Sequence, residues 1–142
     1  MKILVDTNVL LDLFLDREVQ ADFAEAFIKR CRTQKHQIYL TTMQMRDIEY
    51  FAHRHFHSKE KSQKTIETVY SLVSKLLPLS ADSAINSIYS DYSDFEDQLL
   101  IKSAEEFLLD CIVTNNIKDF EKNNGNILLF TPKSFLELTA EN

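Results

Sequence analysis

The sequence predicts an α/β protein built on a mostly parallel sheet with helices covering both faces. Two observations carry this. Short apolar runs of strand character alternate with segments of helical periodicity along the whole chain. Such alternation implies right-handed crossovers, which leave successive strands parallel and cover both faces of the sheet. At 142 residues, 44% hydrophobic and 27% charged, the chain has the size and composition of one globular domain spanning 1–142. It has no internal repeat, low-complexity stretch or linker.

Taken in order, KILVD (2–6) reads as the first strand, ending on a carboxylate. Residues 18–33 form a helix with Phe23, Ala26, Phe27 and Arg30 at helical spacing. QIYLT (37–41) is a second strand. Thr41 and Gln44 stand at capping-box spacing and start a helix over about 43–56. A further helix over 59–76 presents Ile66, Val69, Tyr70, Val73 and Leu76/Leu77 as its apolar face. LLPLS (76–80) is a short edge strand, where Pro78 is tolerated. Residues 81–91 and 95–109 are helical, the second opened by Ser93 and Glu96 and striped with Leu100, Ile101, Ala104 and Leu108. CIVT (111–114) and ILLFT (127–131) are strands, and PKSFLEL begins a last helix with Pro132 in its first turn.

A single glycine, Gly125, removes two nucleotide-binding classes at once. A Walker loop and a dinucleotide fingerprint both need several glycines to bring backbone close to phosphate. No apolar run reaches the ~18 residues of a membrane span, and the N-terminus lacks the pattern of a signal peptide. Cys31 and Cys111 match no metal or redox spacing, so reduced thiols in the cytoplasm are expected. The net charge of −6 is uneven: residues 1–64 sum to +2 and residues 65–142 to −8. That asymmetry suits a metal-dependent enzyme with an anionic substrate, and it equally suits ordinary surface charge.

Ligands of parallel α/β sheets sit beyond the carboxyl ends of the strands, where strand order reverses. Asp6 falls at such an end. Asp47 lies on the helix after strand two, bordering a stripe of Ile48, Phe51 and Ala52, while Glu49 points elsewhere. Asp97 shares the apolar stripe of its helix, where an acid without a partner is unusual. Asp94 and Glu96 are explained by capping and the helix dipole. After CIVT, Asn116 and Asp119 stand three apart, like a helix cap and its partner. Carboxylates sharing one site raise each other's pKa unless a cation lies between them. Oxygen-only ligands select a hard ion such as Mg²⁺ or Mn²⁺.

"LVDTNVLLD", "TTMQMRDIEYF", "DFEDQLLIKSA" and "IVTNNIKDF" together resemble the PIN-domain family, in particular its VapC-type toxin endoribonucleases. The resemblance runs over nearly the whole chain. It implies a three-layer α/β/α sandwich with a five-stranded sheet, a pocket of acids binding divalent metal, and hydrolysis of RNA phosphodiester bonds. It also implies a cognate antitoxin as partner. Asp6 matches the family's first acid and Asp97 its third. The second position, usually Glu, falls on Asp47; the fourth, usually Asp, falls on Asn116, with Asp119 as candidate substitute. Asp6, Asp97 and Asp47 are then the expected metal ligands, and Thr7, Asn8 and Thr114 orient water or the scissile phosphate.

HRHFHSKEKSQK (53–64) reads as a solvated turn between helices; His53 and His57 have zinc-compatible spacing but no third ligand nearby. Arg46, Arg54, Lys59 and Lys61 are candidates for RNA contact. The aromatics Tyr50, Phe56, Tyr89 and Tyr92 are expected on the surface, suiting a homodimer or an antitoxin groove. A dehalogenase-type phosphatase also places Asp after strand one, but its D-x-D pattern meets Asn8 here. A PIN-like fold acting as a binding module without catalysis is the alternative from a different class.

Overall fold

The computed structural model describes residues 1–15, 17–91, 94–121 and 124–140. Five strands, β1 (Lys2–Val5), β2 (Gln37–Thr41), β3 (Lys75–Leu77), β4 (Cys111–Val113) and β5 (Leu128–Phe130), form one sheet in the order β3-β2-β1-β4-β5. Every pairing is parallel, with Leu4 opposite Tyr39 on one side and Ile112 on the other. Strand order reverses between β1 and β4, so the crevice beyond their carboxyl ends is where such a sheet binds ligands.

Strand side chains alternate between two cores, as the period of two requires. Ile3, Val5, Ile38, Leu40, Cys111 and Val113 face one layer of helices. That layer comprises α1 (Thr7–Phe14), α2 (Glu18–Thr33), α3 (Thr42–Phe56), α4 (Lys59–Leu72) and α8 (Pro132–Leu138). Leu4, Tyr39, Leu77 and Ile112 face the other. There, α6 (Phe95–Glu106) and α7 (Ile117–Glu121) pack on the sheet, and α5 (Ala81–Ile88) packs on α6. The result is the three-layer α/β/α sandwich. Among the described residues no helix is long and apolar enough to cross a membrane.

Side-chain caps set where the helices begin. Thr41 and Gln44 close a full capping box on α3, and Thr131 with Ser134 closes one on α8 behind Pro132. Ser58 caps α4 and Ser80 caps α5. Arg30 of α2 donates to the Thr139 carbonyl just past α8, satisfying an orphan acceptor of that helix end.

Several expectations need correction. Helix α1 was not among the expected elements: its N-cap residue Asp6 makes no side-chain cap, and the helix is only eight residues long. The helix expected over 59–76 stops at Leu72, and Leu76 and Leu77 belong to β3. Tyr70 is exposed. Leu108 adopts a left-handed conformation at the end of α6 and is 81% exposed, and Leu109 takes the buried place. Phe56 is half-buried, whereas Tyr50 and Tyr89 are exposed as expected; Ser93 and Tyr92 lie outside the described residues. Cys31 and Cys111 are buried free thiols, which burial pushes up to about 12.

Phe135 anchors α8 by edge-to-face contacts with Phe27 at 5.2 Å and Phe130 at 6.0 Å. Phe135→Ala is expected to cost about 3–5 kcal/mol of stability, read as a lower urea midpoint at unchanged slope.

Candidate active site

Asp6 leaves β1 as the N-cap residue of α1, with extended backbone angles. Its amide donates to the Val113 carbonyl of β4 at 2.9 Å, so the first acid is pinned at the strand-order reversal. The side chain is 6% exposed and accepts a hydrogen bond from the Thr114 hydroxyl at 2.7 Å. Burial pushes its carboxyl above the ordinary range; the Thr114 hydroxyl and the amides of Thr7 and Asn8 pull the other way. The Thr114 oxygen in turn accepts from the Asn116 amide at 3.0 Å. One hydroxyl thereby joins the ends of β1 and β4.

Gln44 performs the equivalent task for α3. Its Oε1 accepts from the Thr41 amide at 2.9 Å, and its Nε2 donates to the Val5 carbonyl at 2.6 Å and to Thr7 Oγ1 at 3.3 Å. The start of α3 is thus fastened to the end of β1, and Asp47 follows one turn later. Arg46 reaches Asp47 at 3.5 Å from an exposed position, a pair worth little in water.

On the other side of the sheet, Asp94 is the N-cap of α6 and accepts from the Asp97 amide at 3.2 Å. The helix therefore opens on Asp94, one residue beyond the expected Ser93. Asp97 is pushed up to about 7, by burial first and then by the charges of Asp94, Asp6, Asp119 and Glu96. Glu96 is also raised, by burial and by a hydrogen bond shared with Asp47. Asp119 rides on α7, its amide bonded to the Asn116 carbonyl at 3.0 Å.

All of these groups line one cleft of about 200 Å³: Asp6, Asp47, Asp94, Glu96, Asp97 and Asp119, with Thr7, Asn8, Arg46 and Asn116. The carboxylates expected from four separate segments do converge. Thr114 stands behind the lining, fully buried, as the support of Asp6. Arg54, Lys59 and Lys61 are exposed and lie off the cleft's lining, and Glu49 points to solvent. Among the described residues, no three Asp, Glu, His or Cys side chains form a ready-made metal cage, His53 and His57 included. The donor set is nonetheless all carboxylate and amide oxygen, the chemistry that accepts a hard divalent cation, and one cation among them relieves their mutual repulsion.

Sequence reasoning missed three features. Asp94 and Glu96 read as helix-start acids, and they are also cleft walls; three acids within residues 94–97 were the available signal. Gln44 read only as a cap. Asp12, buried on α1, accepts from Asn115 and Arg17 and so holds the turn between Thr114 and Asn116; nothing local marks it.

A family model described as the PIN domain matches residues 2–118. The chain belongs to the PIN-domain family. Among solved structures, it is similar to VapBC2 from Rickettsia felis bound to a promoter DNA fragment, with TM-score 0.70 and 17% identity over 92% of this chain and 98% of that one. A toxin–antitoxin complex from Klebsiella pneumoniae matches with TM-score 0.67 and 23% identity over 92% and 97%. DNA-bound VapBC from Salmonella typhimurium matches with TM-score 0.69 and 16% identity over 93% and 98%. At these identities the likeness speaks for the fold. No curated protein matches the chain significantly in sequence.

Two measurements probe this electrostatics. Burial and the neighbouring acids push Asp97 up to about 7, well above the value of an unperturbed aspartate. The folded chain therefore holds the extra proton between those values, and stability falls as pH rises through that window. Chelator-treated protein is expected to melt at a higher temperature at pH 5 than at pH 8, and Asp97→Asn to flatten that dependence; an unchanged slope in the variant contradicts the assignment. Thr114→Val leaves Asp6 without its donor and the Asn116 amide without its acceptor, and is expected to cost about 1–3 kcal/mol in urea unfolding.

Proposed function

We propose that the chain is a divalent-metal-dependent endoribonuclease, the toxin of a toxin–antitoxin pair acting in the cytoplasm. The convergence of carboxylates from β1, α3, α6 and α7 on one cleft at the strand-order reversal carries this reading. Asp6 and Asp97 would hold Mg²⁺ or Mn²⁺, with Asp47 binding directly or through water. Asn116 supplies a neutral oxygen at the family's fourth position, and Asp119 lines the cleft beside it. The cation, when bound, neutralises charge developing on the phosphate and makes water a better nucleophile.

The chain's own residues do the rest. Thr114 keeps Asp6 oriented towards the cleft through its 2.7 Å hydrogen bond. Thr7 and Asn8, at the start of α1, offer polar groups and the positive helix end to a phosphate oxygen. The other carboxylates of the cleft, Glu96 and Asp119 among them, would take up the proton that an attacking water releases. The water oxygen bonds to phosphorus as the bond to the 3′ oxygen breaks, leaving a 5′-phosphate and a 3′-hydroxyl. The toxin–antitoxin assemblies formed by the structural neighbours support a cognate antitoxin as partner, and exposed Tyr50 and Tyr89 leave surface for it or for a second copy.

The alternative is a PIN-like fold retained as an RNA- or protein-binding module. The observation favouring it is Asn116, an amide where the family pattern has an acid.

Purified protein is expected to cleave RNA with Mg²⁺ or Mn²⁺, to stop on chelation, and to lose activity ~100-fold or more in Asp6→Asn. Expression of the wild-type chain alone should arrest growth, and expression of that variant should not. Cleavage that persists in Asp6→Asn removes the site assignment; RNA binding without cleavage in the wild type selects the binding module.

A further inference from the structure

The cleft is only half acidic. Met43, Asp47 and Phe51 recur every four residues along α3 and line it together, so the acid sits between two apolar neighbours on one helix face. Leu99 and Leu100 of α6, with Leu79 from the connection between β3 and α5, extend the apolar lining on the other side. Phe51 remains 40% exposed and Met43 39%, although both stand within a concave site. Tyr50 meets Phe51 edge-to-face at 5.4 Å and 76°, holding the ring's orientation. An exposed aromatic in a cleft is surface kept for a ligand rather than for the core.

The charge of the lining says which ligand surface it takes. Six carboxylates share the cleft with Arg46 as the cation in its lining, so attraction for a phosphate backbone is weak there. Contacts to phosphate from Thr7, Asn8 and Arg46 therefore gain from a second hold on the strand. Every base has an apolar face that stacks on aromatic rings with little regard to sequence. In a duplex those faces are already occupied, whereas in single-stranded loops and ends they are free. A volume of about 200 Å³ leaves room for one such base beside the acids.

Resting on the nuclease reading of the same cleft, we infer that the wall of Met43, Phe51, Leu79 and Leu99 is a subsite for one unpaired nucleobase flanking the scissile phosphate. Phe51 is its stacking platform, and Arg46 meets the adjoining phosphate. The strand it takes carries an unpaired base beside the cleaved bond, and stacking adds binding energy next to Asp6 and Asp97.

The test compares wild type, Phe51→Ala and Phe51→Trp on a short single-stranded RNA, and on the same RNA made abasic at each position flanking the cleaved bond in turn. Phe51→Ala is expected to raise KM roughly tenfold to a hundredfold while kcat falls less than about threefold. Phe51→Trp should stay near the wild-type KM, separating stacking from simple packing. One abasic position should reproduce the loss in wild type and add nothing in Phe51→Ala. An unchanged KM, or losses that multiply, overturns the subsite. So does a Phe51→Ala protein that cleaves normally but no longer binds the antitoxin, which assigns the wall to protein. If wild type cleaves no RNA, the nuclease reading fails separately. Quenching of a 2-aminopurine-labelled single strand by wild type, lost in Phe51→Ala and kept in Phe51→Trp, then still supports the subsite, and absence of quenching overturns it.

Discussion

Mutual repulsion among carboxylates is the constraint around which this molecule is organised. Burial raises Asp97 to about 7, and the charges of Asp94, Asp6, Asp119 and Glu96 add to its effect. Such a cluster disfavours the folded state at neutral pH unless its members are held mechanically or neutralised. The fold holds them by placing each acid at a rigid element end, where backbone hydrogen bonds set its position and hydrophobic packing sets the element. The hydrogen bond from Thr114 to Asp6 is the centre of this arrangement, because it also fixes the turn that carries Asn116.

Two buried polar contacts transmit the geometry between layers. Gln44 links the start of α3 to the end of β1, and Asp12 links α1 to Asn115 after β4. Each satisfies groups that would otherwise be buried without partners, so each is structural by necessity. Because they converge on the strand-order reversal, they also determine where Asp47 and Asn116 stand. Stability and site geometry thus depend on the same few hydrogen bonds.

The cleft's two halves have different physics. Its acidic floor repels anions, and a cation held there, as proposed, would make an anionic substrate tolerable. Its apolar wall is indifferent to charge and to salt. A substrate meeting both must carry phosphate and an apolar planar group next to each other, which a single-stranded nucleic acid does. Long-range steering by the exposed Arg54, Lys59 and Lys61 is available outside the lining, but it does not determine register.

Most of the fold was legible because its signals are local. Strand-like runs at 37–41, 111–114 and 127–131, the Thr41/Gln44 box and Pro132 each act within a few residues, and the structure places elements there. Where local signals weaken, the sequence misleads: α1 opens without a side-chain cap, and Leu108 gives way to Leu109 because Leu108 itself turns left-handed. Asp6, Asp47, Asp97 and Asn116 were recognisable as polar groups at element ends. That they share one sheet edge followed from the parallel α/β reading, whereas the strand order that closes the cleft around them is set by long-range pairing. By itself the sequence determined the five strands, most of the helices, and the acids that stand at or just past the strand ends. Only tertiary structure decided that β1 lies beside β4, that Asp94 and Glu96 join the acids, and that Phe51 shares their cleft. Those are contacts between residues far apart in the chain, and local propensity carries no information about them.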